Sequence, residues 1–198
     1  MLVNDILLAT RKNLADQKEE KWSNGELIDN INSAIIEICR DTLIFKSTIY
    51  IDLFDNKESY NLPKDFLSII HASVADEDCI IKSYDYLQKN YLNISDYTIA
   101  LDGINLHLYP RVTDKMRFSY NYFIQIDEIE DEVQLPLFVK NALVFYVMHL
   151  AHMSPVKSEN MKLSVDYLKL YKTEIQTIKD TLLSNKNSRN TKTKHQRI

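Results

Sequence analysis

His149 and His152 are the side chains whose spacing most directly suggests chemistry. Three residues apart on a helix they share a face, and two imidazoles so placed can hold one metal ion. The run HLAH lacks the glutamate of HExxH, however, and no second His or Cys pair accompanies it. The pair therefore reads as core or subunit-interface histidines. A small metal-dependent enzyme built on them is the third of three functional readings. His71 and His107 fall in strand-like segments and are expected to face solvent or a neighbour. The carboxylates of Asp127, Glu128, Glu130, Asp131 and Glu132 could bind a divalent cation or exchange protons, but such work needs convergent geometry and environments that separate the pKa values. A contiguous acidic run before a helix is more simply a solvated linker that gains from the positive helix N-terminus.

Other reactive types are sparse. Cys39 and Cys79 form no CxxC pattern and have no recognisable activating partner, which suits buried, reduced thiols in a cytosolic protein and leaves a disulfide open but unforced. With two glycines in 198 residues there is no Gly-rich phosphate loop and no GxSxG nucleophile elbow. No catalytic residue, cofactor-binding residue or metal ligand is assigned, no cofactor is expected, and the chain is read as not an enzyme.

What remains is surface. Nine of the twelve tyrosines lie between Tyr50 and Tyr122. Tyrosine joins an apolar ring to a hydrogen-bonding tip, which suits half-buried strands and protein interfaces alike. The net charge of −4 is unevenly spread: Lys186, Arg189, Lys192, Lys194 and Arg197 give residues 184–198 a charge of +5, leaving −9 on the residues before them. That tail has no apolar periodicity and should be flexible in the free protein. Arginines there could make bidentate contacts to carboxylates, with Ile198 as an apolar anchor. A nucleic-acid-binding protein using the basic tail for backbone contacts is the second functional reading.

The elements that must carry these residues follow from periodicity. Leu135 to Ser154 opens with Pro136, suited to a first helical turn. From Asn141 to Val156 it holds no Asp, Glu, Lys or Arg. A helix apolar on every side is buried, and this run is too short and too interrupted to span a membrane. It is expected to be the central helix of a domain, with Leu143 and Phe145 in the core. Residues 2–15 read as a first helix and Asp16 to Lys21 as a charged linker. Ser23 and Glu26 form a capping box, with Trp22 and Leu27 as its hydrophobic staple, opening a helix to about Lys46. Residues 47–126 alternate as about six short strands, with one or two helical turns from Ser83 and an Asp102-Gly103 hairpin. The last helix runs from about Ser158 to Leu183. Its main stripe is Met161, Val165, Leu168, Tyr171, Ile175, Ile178 and Leu182. A second stripe of Leu163, Tyr167 and Leu170 is a candidate subunit interface.

Two helices, a β-rich middle and two helices indicate an α+β chain. The simplest arrangement is a four-helix bundle made of the N- and C-terminal helix pairs, with a central antiparallel β insertion. The domains are then 1–46 with 127–183, a β insertion 47–126, and a basic tail 184–198. The N-terminus lacks a basic n-region before its apolar run and is not read as a signal peptide.

Trp22-Ser23 with Glu26-Leu27 opening a second helix resembles the start of head-to-tail adaptor proteins of tailed bacteriophages. The resemblance continues through Leu62-Pro63 closing a strand, the Asp102-Gly103 hairpin and Leu106-His107-Leu108-Tyr109-Pro110. Leu135-Pro136 opening a long apolar helix, followed by the helix from Ser158, completes it. The resemblance implies a structural virion part at the head–tail junction, assembled in the host cytoplasm. Such connectors form homo-oligomeric rings, typically dodecamers, between the portal protein and tail or nozzle proteins. DNA passes through the central channel without sequence readout, and no membrane is involved. The C-terminal segments commonly dock onto the portal, which would make Lys186, Arg189, Lys192, Lys194, Arg197 and Ile198 partner-binding residues.

Overall fold

The computed structural model describes residues 1–154 and 161–189, with side chains to Ser184. In chain order the elements are α1 (Val3–Leu14), α2 (Asn24–Thr42), β1 (Lys46–Asp52), β2 (Tyr60–Asn61), β3 (Phe66–Val74), β4 (Glu77–Asp78), β5 (Ile80–Ile81) and α3 (Tyr84–Asn90). They continue with β6 (Thr98–Asp102), β7 (Asn105–Tyr109), β8 (Lys115–Tyr122), α4 (Lys140–Met153) and α5 (Met161–Arg189). Two compact units result: Met1–Thr42 with Ile124–Ile198, and Leu43–Phe123.

In the helical unit, α4 is the principal helix neighbour of α1, α2 and α5 alike. Ala142, Leu143, Val144, Val147, Met148 and Ala151 are its buried residues. It is not covered all round: Phe138, just before it, is 47% exposed, Met153 is 48% exposed, and Phe145 is half-buried against Tyr167. The capping box forms, with Ser23 N–H donating to Glu26 Oε2 at 2.9 Å and Glu26 N–H to Ser23 Oγ at 3.2 Å. Trp22 and Leu27 are both buried beside it.

The segment expected to be a charged linker is instead a tightly bonded loop. Asp16 is buried and accepts from the N–H groups of Glu20, Lys21 and Trp22. Arg11, also buried, pairs with Asp16 Oδ2 at 3.0 Å and donates to the Trp22 carbonyl and Asn24 Oδ1. The acidic run after Gln125 is also structural. Val3 N–H donates to the Asp131 carbonyl and Val133 N–H to that of Met1, which pins the start of α1. Asn32 holds Ile126 through a reciprocal pair of 2.8 Å bonds. On α5 only the middle of the expected stripe is buried, namely Tyr171, Ile175 and Ile178; Met161 and Val165 are exposed. Tyr171 Oη donates to Asp41 Oδ2 at 2.8 Å, tying α5 to α2.

In the β unit, one sheet has the order β1-β8-β3-β4 and the other β2-β7-β6-β5. Both contribute to one core, in which Phe118, Met116 and Val74 from the first meet Ile99, Leu106 and Leu108 from the second. The β6–β7 hairpin turns at Gly103, whose φ of +57° is a left-handed value that glycine adopts without strain.

Two further expectations need correction. The chain is not a four-helix bundle with an antiparallel insertion but a mixed α+β protein, with five α-helices and two four-stranded sheets among the described residues. The fifth helix, α3, arises inside the β segment because Ser83 caps it, accepting from Tyr86 N–H. The second sheet is not purely antiparallel, since β5 runs parallel to β6. In the helical unit the packing radiates from α4 rather than setting one helix pair on another. The helix opened by Ser23 also ends at Thr42, not near Lys46. Leu43 adopts a left-handed φ of +49°, and the Phe45 carbonyl already accepts from Tyr122 N–H.

Candidate functional site

The residues with the clearest chemical potential are occupied structurally. His149 Nδ1 lies 2.9 Å from Ser164 Oγ and 3.0 Å from the Ser164 carbonyl, joining α4 to α5. His152 stacks on Tyr167, with ring centroids 5.7 Å apart, and burial holds its pKa below the ordinary histidine value. Among the described residues no three His, Cys, Asp or Glu side chains are grouped to hold a metal ion. Burial pushes the Cys39 thiol up to about 12; Cys79 rises to about 11, through burial first and then the Asp78 carboxylate. Neither thiol is poised to act as a nucleophile, which requires the thiolate. Asp131 Oδ2 accepts from the N–H groups of Asp127 and Glu128, which lowers its pKa and folds the acidic run onto itself.

The β unit carries a cleft of about 360 Å³ between α3 and β7. Tyr84, Leu87 and Gln88 of α3 and Tyr91 beyond it form one wall; His107, Tyr109, Arg111 and Glu58 form the other. His107 Nδ1 donates to the Glu58 carbonyl at 3.1 Å, and the Tyr84 ring lies 4.5 Å from the imidazole. His107 is thus half-buried under Tyr84 rather than simply facing solvent. Arg111 bonds Glu58 Oε1 at 3.0 Å and the Tyr109 hydroxyl at 3.4 Å. Its charge is already paired.

The candidate interface on α5 is differently placed. Leu163 and Leu170 are 39% and 46% exposed, while Tyr167 is half-buried against Phe145 and His152. Of the candidate partner-binding residues, Lys186 and Arg189 lie in the last turns of α5, so the helix runs past Leu183. Their side chains, and all of Lys192, Lys194, Arg197 and Ile198, lie outside the described residues.

A family model described as SU10 adaptor protein matches residues 1–193. The chain belongs to that family, a family of phage head–tail adaptors. Compared with individual curated proteins, it matches none. An adaptor is a structural part of a virion, and its business is contact, so the exposed apolar side chains of this SU10 adaptor matter more than its histidines. Sequence periodicity missed several of them. Leu8, Leu92, Ile104 and Leu137 are each more than 60% exposed. Leu137 was hidden because it sits in the apolar run that opens α4, where composition alone cannot tell an inner from an outer position. No helix among the described residues is long and apolar enough to cross a membrane.

Proposed function

We propose that this adaptor forms a homo-oligomeric ring, a dodecamer, between the portal and the tail or nozzle proteins, with DNA passing through its centre. It joins the particle at the head–tail junction and is made in the host cytoplasm. The family match over residues 1–193 carries this reading. It is supported by thiols whose pKa values are raised, by His149 bonded to Ser164, and by the exposed Leu163 and Leu170 beside Tyr167, which suit a neighbouring subunit. The basic segment from Lys186 to Ile198 docks on acidic portal surface, with Arg189 and Arg197 making bidentate contacts. Electron microscopy of the chain produced together with portal-bearing heads tests this. A ring at the portal vertex is expected. Particles whose vertex lacks the chain, while the chain stays monomeric, would overturn it. Basic residues lying along the DNA would move the tail from portal docking to phosphate contact, whose affinity falls steeply with salt.

A further inference from the structure

The edges of the two sheets are unequal. β2, β4 and β5 are edge strands of two residues each, too short to template another strand. β1 is an edge strand of seven residues, paired to β8 in an unbroken register and carrying no proline and no bulge. A long, regular edge of this kind, protected by little more than a terminal lysine, is a place where another strand can add.

Which backbone groups it offers follows from the ladder. Leu53 N–H donates to Asp114 and the Phe45 carbonyl accepts from Tyr122, so the odd-numbered residues of β1 bond to β8. In an antiparallel ladder alternate residues direct both polar groups to the same neighbour. Lys46, Thr48, Tyr50 and Asp52 therefore present theirs to the open edge. Their side chains are the exposed ones, whereas Ile49 and Ile51 are half-buried against the core.

We infer that this edge takes the same edge of a second copy of the chain, antiparallel and about a two-fold axis at Ile49. In that register all seven residues overlap. Lys46 stands across from Asp52 at both ends, and Thr48 across from Tyr50, a β-branched–aromatic pair of the favourable kind. Thr48–Tyr50 and Lys46–Asp52 are also the pairs whose backbone groups both face the seam, so hydrogen bonding and charge select the same register. Asp52 is 68% exposed and within 3.8 Å of Lys115, a weak pairing that a second lysine can share. Carried one step further, the register sets exposed Phe54 across from Ile44. The two four-stranded sheets become one of eight.

A two-fold joint closes at two copies, whereas each joint in a cyclic ring is head-to-tail. The pairing thus goes beyond the adaptor reading. It belongs to the subunit before it joins a ring, where it covers an edge that would otherwise invite aggregation.

Sedimentation equilibrium of the full chain tests it. A reversible dimer is expected for the unmodified protein. Tyr50→Pro removes an N–H that faces the open edge and none that bonds β8, and should weaken dimerisation at least ~tenfold with unchanged circular dichroism. Lys46→Asp and Asp52→Lys should each weaken it similarly. Mixing these two variants should restore it, because every aspartate of one chain then meets a lysine of the other; a folding defect would not be rescued this way. A monomer at every concentration overturns the proposal and leaves the ring reading intact. So does a dimer indifferent to all three changes, a mixture that fails to associate, or a larger assembly that survives Tyr50→Pro. If the unmodified chain is monomeric but Tyr50→Pro is lost from particles, the edge receives another protein's strand and the self-pairing is wrong.

Discussion

Arg11 and Asp16 are a buried ion pair next to the start of α2. Burial alone would raise the Asp16 pKa, but three backbone N–H donors and the Arg11 charge outweigh it, and the carboxyl sits below its ordinary value. A depressed carboxyl stabilises the fold above its unfolded pKa of about 3.9, and that contribution is lost as pH falls through the folded value. Urea unfolding of Asp16→Asn should therefore show a clear loss at pH 7 that shrinks as the pH is taken well below 4. A pH-independent difference would show that the charge is not what the loop uses. Arg11→Ala should cost more, about 3–5 kcal/mol, because it strands a buried carboxylate. The sequence did not reveal this pair. Asp16 stands in a run with Lys18, Glu19, Glu20 and Lys21, and only the chain reversal, with left-handed Ala15 and Glu19, turns its side chain inward.

Among the elements, those set by local chemistry were legible and those set by distant partners were not. The capping box at Ser23 and the hairpin at Gly103 depend on residues a few positions apart. The end of α2 depends on Phe45 joining β8 more than seventy residues on, and the parallel pairing of β5 with β6 on a crossover through α3. Periodicity also overstated how much of α4 is enclosed. Leu143 is fully buried, so Leu143→Ala should cost about 2–5 kcal/mol through the cavity it leaves. Phe145, half-buried on Tyr167, should cost less when cut to alanine, since water and neighbours can fill the space. Thermal melts of the two variants give the comparison. A larger loss for Phe145 would mean that its outer face is covered.

For the whole molecule, the candidate site was only partly legible, because an adaptor's surfaces are completed by other proteins. The stripe of Leu163, Tyr167 and Leu170 could be read from spacing, but not that Tyr167 would turn inward onto His152. Since α5 runs to Arg189, the portal-docking proposal is best tested by deleting residues 190–198. Thermal stability should be unchanged and occupancy on portal-bearing heads lost; unchanged occupancy would remove Lys192, Lys194, Arg197 and Ile198 from the docking assignment. A last consequence comes from the seam where Phe45 stacks on Tyr122, with centroids 5.3 Å apart, and Lys46 pairs with Asn121. The chain goes into the β unit and comes out of it side by side. Such a segment is a cassette: its two ends are already neighbours, so a length of chain could be spliced in or cut out there without stretching what remains. Residues 43–123 made alone should fold with a cooperative melt, and residues 42 and 124 joined by a short Gly/Ser bridge should leave a folded helical remainder. A lineage of adaptors could then exchange whole β cassettes at this seam while the α4-centred framework stays the same.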